Sequence, residues 1–317
     1  MRVLFLGTPE FAVPSFTALI RAHEVVAVVT RPDRPRGRGH KITASPIKAT
    51  AEAHGTPVLQ PSQLGDPQWM KEVADLRADI AVVAAYGRLL PQALLDVPRL
   101  GFINVHASLL PRWRGAAPIH RAVLAGDTIT GVTIMRVVLA LDAGPVLSAT
   151  STPIGPSETS AALETRLSVM GADLLIATFA RMEAGPIEEV AQDESQATYA
   201  TKLERHESRI DWARPAVEID RQIRGLQPWP LAAGLIDGRR VAFLRSTVTD
   251  APTAGAPGTV LDASAAGLVV ACSMGAVRIT EILPEGRRAM SAADFLNGVA
   301  VPAGTRIMPV PVPGPAT

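Results

Sequence analysis

The chain is 317 residues long, 47% hydrophobic and 19% charged, a length suited to two domains and a composition that excludes intrinsic disorder. Thirty-one basic and 30 acidic residues leave a formal net charge of +1, so a nucleic-acid surface can only come from local clustering. No uninterrupted apolar run reaches the ~18–20 residues of a membrane-spanning helix, and a single cysteine, Cys272, excludes an internal disulfide and a cysteine-based zinc site.

The opening residues are too briefly apolar for a signal peptide, so a cytoplasmic location is expected. Val3–Leu6 reads as a first strand that ends in Gly7-Thr8-Pro9, and Pro14 suits the first turn of a helix to about Arg21. Glu24–Thr30 is a second strand, rich in Val and expected to be covered on both faces. A Pro/Gly/Arg-rich loop runs from Arg31 to about Ser45, before a helix at Pro46–His54 and a strand at Pro57–Leu59. Asp66-Pro67 is an N-cap followed by proline at N1, opening a helix to about Arg77, and Asp79–Ala85 is a fourth buried strand. Phe102–His106 is a short strand, Pro118–Ala125 a helix, Gly131–Val138 a strand and Glu158–Ala184 a long helix. This alternation predicts a parallel α/β sheet.

The texture changes at Gln192–Glu207, a polar stretch that reads as a linker. A helix at Ala216–Leu226 precedes Gln227-Pro228-Trp229-Pro230. Five β-like runs follow, Ala232–Ile236, Arg240–Arg245, Gly258–Leu261, Gly267–Cys272 and Ala276–Leu283. Short strands at this spacing predict a small β-barrel of the OB type. The division expected is a catalytic domain over 1–189, a linker over 190–206 and an OB-like domain over 207–317.

Motifs that would assign chemistry quickly are missing. The first turn, Gly7-Thr-Pro-Glu-Phe-Ala12, is no dinucleotide fingerprint, and no phosphate-binding P-loop occurs. The six histidines show no metal-ligand spacing, so no metal is expected. No G-x-S-x-G elbow is present.

The informative stretch is Gly101-Phe-Ile-Asn104-Val-His106-Ala-Ser108-Leu-Leu-Pro111. On a strand, Asn104 and His106 point to one face, and they lie at the carboxyl end, where open α/β sheets place ligands. An amide donor beside an imidazole suits a carbonyl that develops negative charge. Asp142, in Leu141-Asp142-Ala-Gly144-Pro, follows another strand and would orient His106. Two other readings stand beside this one: a purely structural histidine with a turn aspartate, and a hydrolase triad of Ser108, His106 and Asp142.

Asn104-Val-His106-Ala-Ser108-Leu-Leu-Pro111-Arg-Trp-Arg-Gly-Ala-Ala-Pro118 resembles the folate-dependent formyltransferases. Thr198-Tyr-Ala, Arg209-Ile-Asp-Trp212, Gln227-Pro-Trp-Pro230 and Ala256-Pro-Gly-Thr259 are similar to the methionyl-tRNA branch of that family. The resemblance covers almost the whole chain. It implies a Rossmann-like N-terminal domain, an OB-like C-terminal domain, and formyl transfer from 10-formyltetrahydrofolate to methionine on initiator methionyl-tRNA, by a monomer. The catalytic residues it implies are Asn104, His106 and Asp142. The folate segments would be Tyr86, Gly87, Arg88, Leu89 with Leu90, and Ser108, Leu109, Leu110, Pro111. Before the aspartate the run Arg136-Val-Val-Leu-Ala-Leu-Asp142 departs from the family pattern, which carries an acidic residue and a glycine there.

The 31–48 loop holds six basic residues against one acid and has a Gly37-Arg38-Gly39 core. In the family such a loop enters the acceptor stem, a role that falls on Arg38 with Arg36 and Lys41. A second tRNA surface is expected from Arg239, Arg240, Arg287 and Arg288, with Arg221, Arg224 and Arg245 nearby in sequence; Trp212 and Trp229 read rather as core. Two rival functions remain: a formyltransferase for a small amine such as an amino sugar nucleotide, and a noncatalytic RNA-binding protein.

Overall fold

The computed structural model describes residues 1–36, 41–249 and 255–311. They form two compact units. The first comprises Met1–Pro118, Ile129–Thr152 and Glu164–Ala200; the second comprises Ile119–Thr128, Pro153–Leu163 and the chain from Thr201 onward. Residues 190–200, at the start of the stretch read as a linker, therefore lie within the first unit.

The first unit is built on a seven-stranded sheet. Its spatial order is Val146–Pro153, Ile129–Arg136, Phe102–His106, Ile80–Ala84, Arg2–Gly7, Glu24–Val29, Val58–Leu59. The central strands are parallel, with Val3 opposite Ile80 and Val83 opposite Asn104. Val3–Leu6 is wholly buried, as expected for a strand covered on both faces. Helix Pro67–Asp75 is capped by Asp66, whose Oδ1 accepts from the Trp69 amide at 3.0 Å. Trp69 and Val73 of that helix pack with Leu4, Leu6, Ala27, Val29 and Ala81 of the sheet. On the site-bearing strand, Val105 meets the long helix Ser160–Ala184 at Gly171, where a Cβ would come within 2.8 Å of the valine methyl. Val105 thus takes the helix side, and alternation sends Asn104 and His106 to the other.

Two features of this sheet differ from the expectation. Ile129–Arg136 runs antiparallel to Phe102–His106, pairing Arg136 with Ile103 and Thr133 with His106. The edge strand Val146–Pro153 is absent from the expected elements, because its Ser/Thr-rich sequence is half exposed along its length. The basic loop contains two short paired strands, Arg34–Arg36 and Lys41–Thr43.

The second unit bears out the β-barrel expectation. An antiparallel sheet runs Val260–Ser264, Gly267–Ala271, Ala276–Pro284, Arg239–Thr249, Ala233–Ile236, Met308–Pro309. It curls until its two ends meet at the Thr259–Arg306 bridge. Irregularities in the pairing of Phe243–Ser246 with Ala276–Pro284 provide the bend, since an extra residue on one strand increases twist. Trp212 is buried and packs edge-on against Phe243, 6.0 Å between ring centres, which fits the core reading for this residue.

Candidate active site

All three expected catalytic side chains belong to the first unit. His106 ends its strand almost fully buried, and Asn104 is the one residue of Phe102–His106 that is only half-buried. The His106 Nε2 lies 2.9 Å from the Trp113 carbonyl. A carbonyl only accepts, so this contact assigns the proton to Nε2 and leaves Nδ1 as the nitrogen that can gain or lose one. Nδ1 sits 3.6 Å from Asp142 Oδ2. That separation exceeds an ordinary hydrogen bond, so the pair can share a proton with a third atom placed between or beside them.

Asp142 does not arrive as the sequence pattern suggests. The antiparallel strand carries the chain to Arg136, beside Ile103 and away from His106. Residues 137–145 must turn back. They do so with Asp142 in the left-handed region (φ +48°), a conformation Asp tolerates better than most residues. Gly115 donates its amide to Asp142 Oδ2 at 2.8 Å. The segment 113–115 therefore grips both partners, the imidazole through a carbonyl and the carboxylate through an amide. Neither contact is visible in sequence, because both are made by backbone.

The rival triad is not assembled. Ser108 is buried, and its hydroxyl donates to the Arg112 carbonyl at 2.6 Å. Its own carbonyl accepts from Thr133 Oγ1 at 2.7 Å, and the Leu110 amide donates to the same threonine hydroxyl at 3.2 Å. Ser108 thus shapes the turn, and Leu109, Leu110 and Pro111 are its partly exposed residues.

The Tyr86–Leu90 loop leaves the strand Ile80–Ala84, next to the strand that carries Asn104 and His106. Tyr86 is buried, and burial pushes its phenol upward, so it stays neutral. Gly87 adopts φ +74°. The Arg88 guanidinium donates to the Pro61 and Ser62 carbonyls at 3.0 and 2.8 Å, which pins the loop. Leu89 is left 78% exposed. Two loops with apolar exposed residues thus leave the carboxyl ends of neighbouring parallel strands, the position open α/β sheets use for ligands. Among the described residues no cluster of three His, Cys, Asp or Glu side chains is placed to hold a metal ion.

Residues 1–179 match the formyl transferase family model, and residues 202–300 match the formyl transferase C-terminal domain. The methionyl-tRNA formyltransferase of Paracoccus denitrificans (strain Pd 1222) is 50% identical over 302 residues, covering 95% of this chain and 99% of that one. The chain belongs to the methionyl-tRNA formyltransferase family. A second member, from Methylococcus capsulatus (strain ATCC 33009 / NCIMB 11132 / Bath), is 48% identical over 308 residues, 97% of this chain and 99% of its own. Among solved structures, the N-formyltransferase from Helicobacter canadensis, in complex with folinic acid and dTDP-3-aminofucose, shares the fold. It aligns with a TM-score of 0.67 at 17% identity, over 87% of this chain and 97% of that one.

In this member of the methionyl-tRNA formyltransferase family, the basic residues expected to meet RNA are distributed unevenly. Arg36 and Lys41 are register partners in the Arg34–Arg36 and Lys41–Thr43 ladder, whereas Arg38 lies outside the described residues. Arg239, Arg287 and Arg288 are exposed and Arg240 is half-buried. They gather at one end of the barrel, where the Glu285 amide donates to the Arg240 carbonyl at 3.0 Å. A cavity of about 460 Å³ opens there, lined by Arg205, Trp229, Arg240 and Glu285 among others. Trp229 is 46% exposed, so the core reading fails for it. Arg224 leaves the surface set as well. It is buried against Asp220 at 2.8 Å, and Asp220 in turn accepts from Ser246. Arg245 is paired with Glu281 at 3.1 Å.

Proposed function

We infer that this protein transfers the formyl group of 10-formyltetrahydrofolate to the α-amino group of methionine on initiator tRNA, working as a cytoplasmic monomer. Near-full-length identity of about half to enzymes of that name supports the substrate pair. The facing of His106 Nδ1 and Asp142 at 3.6 Å, beside Asn104, carries the mechanism.

When bound, 10-formyltetrahydrofolate supplies an activated formyl carbon and a departing amine at N10. The exposed Leu89 and the partly exposed Leu109, Leu110 and Pro111 give an apolar surface suited to an aromatic heterocycle, with Tyr86, Gly87 and Arg88 shaping one loop and Ser108 the other. Asn104 donates a carboxamide N–H to the oxygen that becomes negative as the methionine amine adds. His106, with Nε2 held by Trp113, presents protonated Nδ1 to that same oxygen. Asp142 balances the imidazolium and accepts the proton that the amine sheds, which then passes to N10 as the old C–N bond breaks. The proton count closes without a covalent enzyme intermediate.

Arg239, Arg240, Arg287 and Arg288 would neutralise tRNA phosphates, with Arg36, Arg38 and Lys41 reaching the acceptor end. Replacing Arg287 and Arg288 together by Ala is expected to raise KM for tRNA on the order of tenfold with kcat nearly unchanged. The salt dependence of binding should also flatten by about one unit of slope for each arginine–phosphate pair removed. An unaltered KM and slope would remove these arginines from the interface.

The reaction itself is tested with 10-formyltetrahydrofolate and three acceptors: charged initiator tRNA, charged elongator tRNA and an amino sugar nucleotide. Formyl should appear on the charged initiator tRNA. Formylation of the sugar nucleotide alone would establish the small-amine activity instead, and tRNA binding without transfer would make the chain a noncatalytic RNA-binding protein.

A further inference from the structure

We propose that Gln192, on a polar stretch that reads in sequence as a linker, is a positioning residue for formyl transfer that sets the aim of Asp142. The inference rests on the catalytic reading of Asp142 given above. Gln192 lies 50 residues beyond the aspartate, yet its Nε2 donates to the Asp142 carbonyl at 2.8 Å and to the Gly144 carbonyl at 2.7 Å. Its Oε1 accepts from Arg114 Nε at 3.0 Å and from Nη2 at 2.8 Å. A side chain here must accept from a guanidinium and donate to two carbonyls at once. A carboxamide meets both demands; a carboxylate has no N–H to give.

The rest of the segment clamps residues 113–115, which touch both His106 and Asp142. Arg114 is 2% exposed, and its Nη1 and Nη2 each reach Glu194 at 2.8 Å. Thr198 accepts from the Trp113 amide through its hydroxyl at 2.9 Å and from the Arg114 amide through its carbonyl at 2.9 Å. Tyr199–Ala200 then pairs in parallel with Arg114–Gly115. Trp113 orients the imidazole and Gly115 holds the Asp142 carboxylate, so the 192–200 segment fixes the frame of both. Within it, Gln192 touches the aspartate turn itself. Asp142 is in the left-handed region, and nothing in its own sequence imposes that conformation. The two hydrogen bonds from Gln192 to the carbonyls of the turn add a side-chain restraint to the backbone contacts from Gly115 and Arg136.

The test compares Gln192→Glu, Gln192→Ala and Asp142→Asn with the double variant Gln192→Glu/Asp142→Asn. Single-turnover transfer, KM for each substrate and Tm are measured for all four. Gln192→Glu keeps the Arg114 contact but sets a carboxylate against two carbonyls. It is expected to slow transfer about 10–100-fold, the cost typical of losing an outer partner of a functional ligand, with both KM values within about twofold. In the Asp142→Asn background the same change should cost less than about threefold, because no carboxylate remains to be aimed. Near-wild-type transfer by both single Gln192 variants overturns the proposal, as does the full penalty persisting without the carboxylate. Failure of both Gln192 variants to fold assigns the residue to stability and also overturns it. Unimpaired transfer by Asp142→Asn is a separate result, which withdraws the catalytic reading itself.

Discussion

Asp142→Asn should lower single-turnover formyl transfer by roughly 10²–10⁴-fold, with tRNA and folate affinities little changed. The size follows from what the carboxylate faces. His106 spends Nε2 on Trp113, so charge on the ring means a proton on Nδ1, 3.6 Å from Asp142 Oδ2. Opposite charges about 4 Å apart attract by about 4 kcal/mol at an effective dielectric near 20, equivalent to about three decades of rate. Asparagine keeps the shape and can still accept from Gly115, yet supplies neither charge nor proton acceptor. His106→Ala should fall in the same range. Near-full transfer by either variant would mean that the proton travels by another route.

Gly144→Ala is the second change expected to act strongly, and for a purely steric reason. A Cβ at this position would lie 2.0 Å from the Arg136 carbonyl oxygen and 2.9 Å from its carbon. Arg136 cannot step aside easily. Its amide donates to the Pro145 carbonyl at 2.9 Å, and its guanidinium reaches the Leu100 carbonyl at 2.6 Å and Glu189 at 2.7 Å. The loop must therefore separate from the strand, at a cost of about 1–3 kcal/mol in stability. Asp142, two residues away, moves with it, and a displacement of about 1 Å is worth on the order of a hundredfold in rate. Calorimetry and single-turnover assays on one preparation should show both losses. A variant with unchanged Tm and full activity would show that the strand and loop can part without cost.

Much of this site was legible in the sequence because strand alternation is a strong constraint. Asn104 and His106 two apart at the end of an apolar run can hardly avoid sharing a face. Asp142 reaches His106 by a different route from the one the pattern offers. A parallel strand would deliver the aspartate to the crevice directly, whereas the actual strand runs the other way and the 137–145 loop makes up the distance. The altered run before Asp142 leaves Val138, Leu139 and Leu141 exposed on that loop, and the aspartate still meets the histidine.

What could not be read is what backbone and distant side chains contribute. Trp113 and Gly115 act through a carbonyl and an amide that carry no residue-specific signal. Gln192 sits in a polar stretch without periodicity, where composition suggests a connector, and only its partners reveal its place. Edge strands escape a reading by pattern where Ser and Thr dilute the apolar signal, as in Val146–Pro153. Charge counting overvalues Arg224, whose helical neighbour Asp220 takes it out of solvent, and a general preference for buried tryptophan misjudges Trp229. Side chains whose fate depends on one tertiary partner resist any inference from local pattern.

A structure of the protein with a non-transferring formyl-folate analogue addresses the site most directly. The formyl carbon should lie within about 3–4 Å of the Asn104 carboxamide and His106 Nδ1, with the Asp142 carboxylate in reach of the incoming amine. A formyl carbon seated more than about 6 Å from all three side chains, too far even for one bridging water, would contradict the assignment of these residues to the chemistry.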